Sequence, residues 1–288
     1  MSQHYSQHAS GQSEPQSVHP VLAWLTDFGL VDGYVGVMKG VALSIAPDAR
    51  LIDITHEIEP QNIFAGAWVL ATSYRYFPQG TIFVCVVDPG VGSVRRPVAI
   101  HAGNWFFVGP DNGLFSYILA EQSVHAAVHV SNPAYHLSQV SATFHGRDVF
   151  SPVAAHIARG VPLAAVGAAI DPLTLLRLNL EPPQRQGERI LAHIVHIDHF
   201  GNLITSIPLT MVPDLFSSST VELTFPSRNI SISRRSRFFA GDAGEAQSAL
   251  PFIYGDSAGY VAVAVRNGSA ASILGIERDE HCILQVMK

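Results

Sequence analysis

The sequence predicts a two-domain α/β protein: an N-terminal, doubly wound and mostly parallel sheet, then a smaller all-β, barrel-like domain. Three observations predict this fold class. The chain has 288 residues, more than the roughly 100–200 of one typical domain. Short apolar runs alternate with helical periodicity from Val21 to Val87, which is typical of a parallel sheet covered by helices. After Ile190, strand-like runs follow one another with no convincing helix between them.

The N-terminal elements alternate in type and are bounded by turn residues such as Ala46-Pro47-Asp48. In order they are strand Val21–Leu25, helix Tyr34–Ile45, strand Leu51–Thr55, helix Ile63–Tyr76 and strand Thr81–Val87. Farther along, two strands are expected to flank the turn Pro110-Asp111-Asn112-Gly113, which a short helix follows. Thr143–Arg147 leads into a helix that runs through Pro152 to Arg159.

The predicted domain boundaries follow changes in composition. Residues 1–20, rich in Ser, Gln and His, are expected to be a disordered tail whose histidines (His4, His8 and His19) form no metal site. Residues 21–178 form the first domain, the Pro/Gln/Gly-rich stretch 179–189 a linker, and residues 190–288 the second domain. Its expected strands are Ile190–Ile197, Leu203–Ile207, Thr220–Phe225, Asn229–Ser233, Tyr260–Val265 and Cys282–Met287.

Charge and composition exclude several classes of partner. The formal charge is −6 and no Lys/Arg run exceeds a pair, so no nucleic-acid partner is expected. No apolar run approaches the roughly 20 residues that span a bilayer, so no membrane association is expected. Cys85 and Cys282 lie in strand-like runs and are interpreted as core residues in a reducing, cytoplasmic compartment, although a disulfide between them stays open.

Asp27 and Asp88 lie in loops at the carboxyl ends of predicted parallel strands, where ligands bind in such sheets. A carboxylate in Thr26-Asp27-Phe28-Gly29 can accept hydrogen bonds from vicinal ribose hydroxyls, or it can cap the next turn. Asp88 opens a tight loop, Asp88-Pro89-Gly90-Val91-Gly92-Ser93-Val94-Arg95-Arg96. Arg95 can fold back onto Asp88, either as part of a site or as a structural staple.

His145 stands in Thr143-Phe144-His145-Gly146-Arg147-Asp148 at the start of a predicted helix. Its ordinary pKa suits proton transfer near neutrality, but a capping or core role explains the position equally. A metal site of His145, Asp148 and His156 is disfavoured, because this spacing matches no compact ligand pattern.

Polar turns in the second domain form a further group of candidates. Asp198 and Asn202, in Asp198-His199-Phe200-Gly201-Asn202, could bind a purine edge or a zwitterion, although turn chemistry alone explains the pattern too. Asp256-Ser257-Ala258-Gly259-Tyr260 and Arg266-Asn267-Gly268 taken alone are ordinary turns.

Taken in order, these segments resemble the S-adenosyl-L-methionine hydroxide adenosyltransferases, hydrolases related to nucleophilic fluorinases and chlorinases. The blocks are TDFG, DITHEI, VVDPGVG, PDNGLF, TFHGRD, DHFGN and the late SAGY and RNG, and they extend over about Val21 to Met287. The resemblance implies hydrolysis of S-adenosyl-L-methionine (SAM) to adenosine and methionine, with no cofactor. It also implies a homotrimer whose sites lie between one subunit's first domain and its neighbour's second.

The resemblance implies a catalytic triad of Asp88, Arg95 and His145, with Arg96 an adjacent alternative for the arginine. His145 and Gln61 favour the hydrolases over the halogenases, which lack the histidine and carry tryptophan at the Gln61 position. The substrate-binding residues that it implies, together with others in the same blocks, are Asp27, Phe28, Gln61, Asp198, Phe200, Asn202, Ser257, Arg266 and Asn267.

The expected mechanism is in-line attack of water on C5′ of SAM, with His145 and Asp88 deprotonating the water and Arg95 fixing the carboxylate. Three other readings stay open from the residues alone. They are a halide-using adenosyl transferase, a non-catalytic protein that binds adenosine or SAM, and a structural oligomer with a vestigial site.

Overall fold

The computed structural model describes residues 19–239 and 250–287. Residues 1–18 of the predicted tail, with His4 and His8, lie outside the described residues. The chain divides between Arg177 and Leu178 into two compact units. Among the described residues, no helix has the length and apolar character needed to cross a membrane.

The first unit contains a seven-stranded sheet and five α-helices among its described residues. Its strands are β1 (Val21–Thr26), β2 (Arg50–Thr55), β3 (Ile82–Val86), β4 (Pro97–Ala102), β5 (Trp105–Pro110), β6 (Val124–His129) and β7 (Ala168–Ala169). Its helices are α1 (Tyr34–Ile45), α2 (Ile63–Ser73), α3 (Ser116–Glu121), α4 (Ser151–Ala158) and α5 (Leu163–Val166).

The sheet is mixed rather than mostly parallel. Its strand order is β2-β1-β3-β5-β4-β6-β7; the first three pairings are parallel and the last three antiparallel. The antiparallel half arises because β4 and β5 form a hairpin. The second strand of this hairpin, β5, ends at Pro110, and α3 follows Pro110-Asp111-Asn112-Gly113. The expectation that a strand lies on each side of this turn is therefore wrong.

Helices cover both faces of the parallel half. Trp24 of β1 is fully buried in one core with Met38 of α1 and Val153 of α4. Leu25, the next residue, points to the other face, where it lies beside Gly66 of α2. This is the doubly wound arrangement that the alternating pattern predicts.

The second unit is an antiparallel, nearly closed sheet. Its strands are β8 (Gln184–Gln186), β9 (Arg189–Ile197), β10 (Leu203–Pro208), β11 (Thr220–Phe225), β12 (Ile230–Ile232), β13 (Phe252–Gly255), β14 (Tyr260–Ala264) and β15 (His281–Met287). The order is β12-β11-β15-β9-β10-β14-β13, with β8 beside β9. A bridge between Arg235 and Ile253 brings the chain after β12 onto β13, which nearly closes the barrel.

Three details of this unit differ from the sequence expectation. Strand β13 (Phe252–Gly255) is not among the expected strands. A short helix, α6 (Ala270–Leu274), follows β14, where no helix is expected, because Ser269 caps its amino end and Gly275 ends it in the left-handed conformation. The stretch 179–189, expected to be a linker, contains β8.

Candidate active site

The carboxyl ends of β1, β2 and β3 lie side by side. Thr26, the last residue of β1, pairs with Val86 at the end of β3. Asp27 and Asp88 follow these two ends, so both side chains come to one edge of the sheet, where α/β sheets bind ligands. Burial raises the pKa of Asp27, and the negative charge of Asp88 adds to that rise.

The loop after β3 turns twice and returns Arg95 to Asp88. The Val91 N–H donates to the Asp88 carbonyl at 3.2 Å, and the Ser93 N–H donates to the Gly90 carbonyl at 3.1 Å. The Ser93 hydroxyl then accepts from the Arg95 N–H at 3.3 Å. The spacing of seven residues therefore brings a guanidinium back over the carboxylate that opens the loop.

Arg95 and Asp88 form a buried, forked ion pair. Arg95 Nε lies 2.9 Å from each carboxylate oxygen of Asp88, and Arg95 Nη2 donates to Oδ2 as well. The two side chains are only 8% and 4% exposed. Such a pair fixes the plane and orientation of the carboxylate.

The same guanidinium reaches His145. Arg95 Nη2 lies 2.9 Å from His145 Nδ1. Because a guanidinium can only donate, Nδ1 accepts and the hydrogen of the neutral imidazole is on Nε2. Burial and the positive charge of Arg95 lower the pKa of His145, so the neutral form is favoured. His145 therefore presents an N–H donor at Nε2.

A π-helical turn over Gly146–Phe150 holds His145 in place. The Ser151 N–H donates to the Gly146 carbonyl five residues earlier, which defines this wider turn. The loop before His145 packs on the Asp88–Arg95 loop, because Gly92, at φ 76°, lies so close to Ala142 that an added Cβ would stand 2.4 Å from its carbonyl oxygen. The two loops that carry the triad are in direct contact.

Phe150 and Asn112 support the triad and were not predicted. The guanidinium of Arg95 lies over the buried Phe150 ring at 5.3 Å, and its Nη1 has no hydrogen-bond acceptor among the described residues. Asn112 Nδ2 donates to the Val87 carbonyl at 2.8 Å, which fixes the backbone before Asp88. The PDNG block carries a sequence signal for Asn112, but none marks Phe150.

Arg96 points elsewhere. It donates through Nε and Nη2 to buried Asp111, at 2.9 and 2.6 Å, and through Nη2 to the Thr174 carbonyl at 2.6 Å. Of the two adjacent arginines, Arg95 is the one beside Asp88 and His145.

Asp27, Phe28 and Gln61 lie together at the neighbouring loops. The Gln61 N–H donates to Asp27 Oδ2 at 2.8 Å, and Gln61 adopts a left-handed backbone at φ 66°. The Phe28 ring packs edge-on against Tyr34 and Phe144, with centroids 6.1 and 5.9 Å away. Asp27 does not cap a helix: Gly33 stands at the N-cap position of α1, with no side-chain capping bond.

In the second unit, the β9–β10 turn is a candidate binding turn. Asp198 Oδ1 accepts from the Phe200 and Asn202 N–H groups at 2.9 Å, and Oδ2 accepts from Asn202 Nδ2 at 2.7 Å. Phe200 is 75% exposed, whereas Asn202 is buried.

The other two predicted turns lie close to it. The charge of Asp198 contributes to the raised pKa of Asp256, of which burial is the main cause. Gly201 packs against Ser269, just after the segment of Arg266 and Asn267. Ser257 and Asn267 are exposed, and the Arg266 guanidinium lies over the Phe252 ring.

The residues of the disfavoured metal site, His145, Asp148 and His156, make other contacts. Asp148 accepts from Arg147 Nε at 2.6 Å and from the Ser141 N–H at 2.8 Å. The His156 ring packs on Tyr135. Within residues 19–239 and 250–287, no group of three His, Cys, Asp or Glu residues is arranged to hold a metal ion.

Each of the two units matches a family model. A family model described as the SAM hydroxide adenosyltransferase N-terminal domain matches residues 22–167, and one described as its C-terminal domain matches residues 192–283.

Individual relatives are similar over most of their length. A protein named (R)-S-adenosyl-L-methionine hydrolase from Salinispora arenicola is 41% identical over 258 residues, which cover 89% of this chain and 94% of the relative. One of the same name from Thermus thermophilus is 36% identical, covering 88% and 95%. A fluorinase from Nocardia brasiliensis is 29% identical, covering 88% and 92%. The crystal structure of an uncharacterized conserved protein from Thermotoga maritima has a TM-score of 0.83 at 32% identity, covering 92% and 99%.

Proposed function

The chain belongs to the SAM hydroxide adenosyltransferase family, and from this premise we propose how its residues carry out the reaction. The enzyme hydrolyses S-adenosyl-L-methionine to adenosine and L-methionine, as relatives named hydrolases at up to 41% identity support. The bond C5′–S breaks, its electron pair stays on sulfur, and the water oxygen bonds C5′. One proton is released, because a cationic sulfonium and water give two neutral groups.

We place the ribose against Asp27. The side chain is partly buried, and its Oδ2 already accepts the Gln61 N–H, which fixes the carboxylate while leaving acceptor sites for ribose hydroxyls. Phe28 and Gln61 border the same carboxylate. In the second unit, Asp198, Phe200, Asn202, Ser257, Arg266 and Asn267 are the proposed contacts of the adenine and methionine ends.

His145 acts as a hydrogen-bond donor to the attacking water. This differs from the expected base role, because the Arg95 hydrogen bond uses the Nδ1 lone pair and leaves a hydrogen on Nε2. The single observation that carries the proposal is Arg95 bridging Asp88 and His145, since it fixes one acceptor and one donor on adjacent loops.

Asp88 takes the hydrogen of that water. Among the described residues, its Oδ1 accepts only from Arg95 Nε, so an acceptor site remains free on this oxygen, whereas Oδ2 accepts from two nitrogens. A strong base is unnecessary because methionine leaves as a neutral thioether. The gain therefore comes from alignment of water with C5′ and from a pocket that favours the merging of opposite charges.

We propose that the reaction needs no metal or organic cofactor. The support is the leaving group: the sulfonium requires neither protonation nor Lewis-acid activation. Activity that is unchanged after exhaustive dialysis against a chelator is the expected result.

The test of the function is product analysis with purified protein. Incubation with SAM in ¹⁸O-water should give adenosine labelled at its 5′ oxygen, with methionine in equal amount. Label in any other position would rule out attack of water at C5′. A halogenase would instead form a 5′-halo nucleoside that depends on added halide, and a non-catalytic binding protein would retain SAM unchanged.

We also propose a homotrimer with its sites at subunit interfaces, located in the cytoplasm. Support for assembly comes from apolar side chains in the loops beside the triad, since Leu30 is 66% exposed and Val31 and Val94 are fully exposed. Support for a reducing compartment comes from Cys85 and Cys282, which are both free and buried. Light scattering during gel filtration should give three times the mass of one chain.

A further inference from the structure

A chain of hydrogen bonds runs from the surface of the first unit to the loop that carries Asp27. Lys39 Nζ lies 2.6 Å from Asp53 Oδ2, and His56 Nε2 lies 2.9 Å from Asp53 Oδ1. His56 Nδ1 lies 2.8 Å from the Thr26 hydroxyl, which also accepts from the Phe28 N–H at 3.3 Å. Thr26 is fully buried and the His56 side chain is only 2% exposed, whereas Asp53 is 42% exposed.

For a neutral His56 ring, the partners fix the direction of each bond. The Asp53 carboxylate accepts from His56 Nε2–H, so Nδ1 of the neutral ring carries no hydrogen and accepts from the Thr26 O–H. The Thr26 oxygen then has a lone pair for the Phe28 N–H. Each of these four hydrogen bonds thus has one donor and one acceptor, and the backbone on both sides of Asp27 is held.

The backbone of His56 holds the same loop. The His56 carbonyl accepts from the Gly29 N–H at 2.8 Å, and the Thr26 carbonyl accepts from the Ile58 N–H at 3.4 Å. Gly29 has φ 65°, so the loop turns sharply just after Phe28. Neither Thr26 nor His56 is aligned as an attacking nucleophile or base, because both are enclosed in the fold.

We propose that Thr26, His56 and Asp53 are positioning residues that set the Asp27 carboxylate for the ribose hydroxyls of SAM. This inference rests on the proposed ribose contact of Asp27. The triad is on other loops. A defect in this chain of hydrogen bonds should therefore weaken recognition of the ribose more than it slows the chemical step.

The test measures how strongly each variant distinguishes SAM from its 2′-deoxyadenosyl analogue. Thr26→Val keeps the shape of the side chain and removes the hydroxyl. We expect KM for SAM to rise at least about tenfold with kcat within about threefold, and the preference in kcat/KM for the 2′-hydroxyl to fall toward that of Asp27→Asn. Thr26→Ser should restore most of the preference.

The matched control is Thr81→Val. Thr81 is also buried and its hydroxyl also makes a local bond, to the Pro78 carbonyl at 2.8 Å, but it lies before β3, away from Asp27. Asp53 is the more exposed member of the chain of hydrogen bonds, so Asp53→Asn should give a smaller change in the same direction. It replaces Thr26→Val if that variant does not fold.

The outcomes distinguish failure of the positioning role from failure of the ribose contact of Asp27. The control Thr81→Val should keep the full preference for the 2′-hydroxyl. If Thr26→Val, or Asp53→Asn in its place, keeps that preference too, the positioning role is overturned. If Asp27→Asn itself keeps that preference, the ribose contact of Asp27 fails, and the positioning role fails with it.

Discussion

Arg95 Nη2 lies 2.9 Å from His145 Nδ1 and also donates to the Asp88 carboxylate. One guanidinium thus fixes both the orientation of a buried carboxylate and the tautomer of an imidazole. The hydrogen left on His145 Nε2 lets this side chain donate to the attacking water in the proposed mechanism. Donor and base roles of His145 predict different results for the same substitutions.

His145→Gln should retain more activity than His145→Ala. A glutamine amide can place an N–H near the position of Nε2, whereas alanine provides none. We expect His145→Ala to lose about 10²–10³ in kcat, as removal of a transition-state donor does, and His145→Gln to remain at least about tenfold more active than it. Steady-state kinetics of adenosine formation measures both. Equal losses in the two variants would favour a base role instead.

The pH dependence of kcat should show a limb on the acid side that is due to His145. Burial and the charge of Arg95 lower the pKa of His145, so protonation sets in only below the ordinary range of histidine. The protonated ring would bring Nδ1–H against the guanidinium, and the bond between them would be lost. The rate should therefore fall as the pH drops through that lowered pKa.

In His145→Gln the limb that is due to His145 should disappear, because glutamine does not titrate. A rate that rises as His145 becomes protonated would contradict the assignment of the neutral form.

Arg95→Lys should reduce kcat strongly, whereas Arg96→Lys should not. Lysine has no planar fork and cannot bond both Asp88 and His145 in this geometry. We expect a loss of at least about 100-fold for Arg95→Lys, comparable with the loss of one preorganised donor. Arg96 contacts Asp111 and Thr174, so Arg96→Lys should lower thermal stability but leave kcat within about threefold. Kinetics and melting curves of both variants separate a catalytic role from a structural one. Similar losses of kcat in Arg95→Lys and Arg96→Lys would contradict the assignment of the catalytic role to Arg95 alone.

Much of the fold follows from the sequence because its strands and helices have clear periodicity. The predicted helix Tyr34–Ile45 and strand Thr220–Phe225 have the observed bounds. Such patterns do not predict the β4–β5 hairpin, because a buried apolar run has the same sequence pattern in parallel and antiparallel pairing. Helix α6 spans only Ala270–Leu274, too short for its periodicity to stand out.

The site is predictable only as far as its residues lie in local motifs. The spacing of Asp88 and Arg95 predicts their pairing, and the structure contains that pair. The approach of His145, fifty residues later, depends on tertiary packing and came only from the family resemblance. Contacts such as Phe150 beneath Arg95 leave no pattern in the sequence at all.

Gly92→Ala should damage both stability and activity. Its φ of 76° costs a residue with a Cβ about 1–2 kcal/mol, and the added carbon would press on the Ala142 carbonyl at 2.4 Å. Relief of this contact has to move the Asp88–Arg95 loop away from the His145 loop, so kcat should fall at least about tenfold.

Gly80→Ala is the matched control for that substitution. Gly80 has a similar φ of 82°, but an added Cβ there meets nothing within 4 Å. It should lower the melting temperature with kcat unchanged. A similar kinetic loss in Gly80→Ala would show that strain alone, and not loop contact, accounts for the effect of Gly92→Ala.

Asp88→Ala should destabilise the fold through Arg95, which it leaves buried without its counter-charge. With Arg95 only 8% exposed, we expect a loss of about 3–5 kcal/mol in the free energy of unfolding. Arg95→Met together with Asp88→Ala removes both charges and keeps most of the volume, so the double variant should be more stable than Asp88→Ala alone while remaining inactive. Urea denaturation of the wild type, Asp88→Ala, Arg95→Met and the double variant gives the coupling between the two side chains. If the double variant is as unstable as the sum of the single ones, the guanidinium does not depend on Asp88 for its burial, and the forked pair cannot be what holds the carboxylate in place.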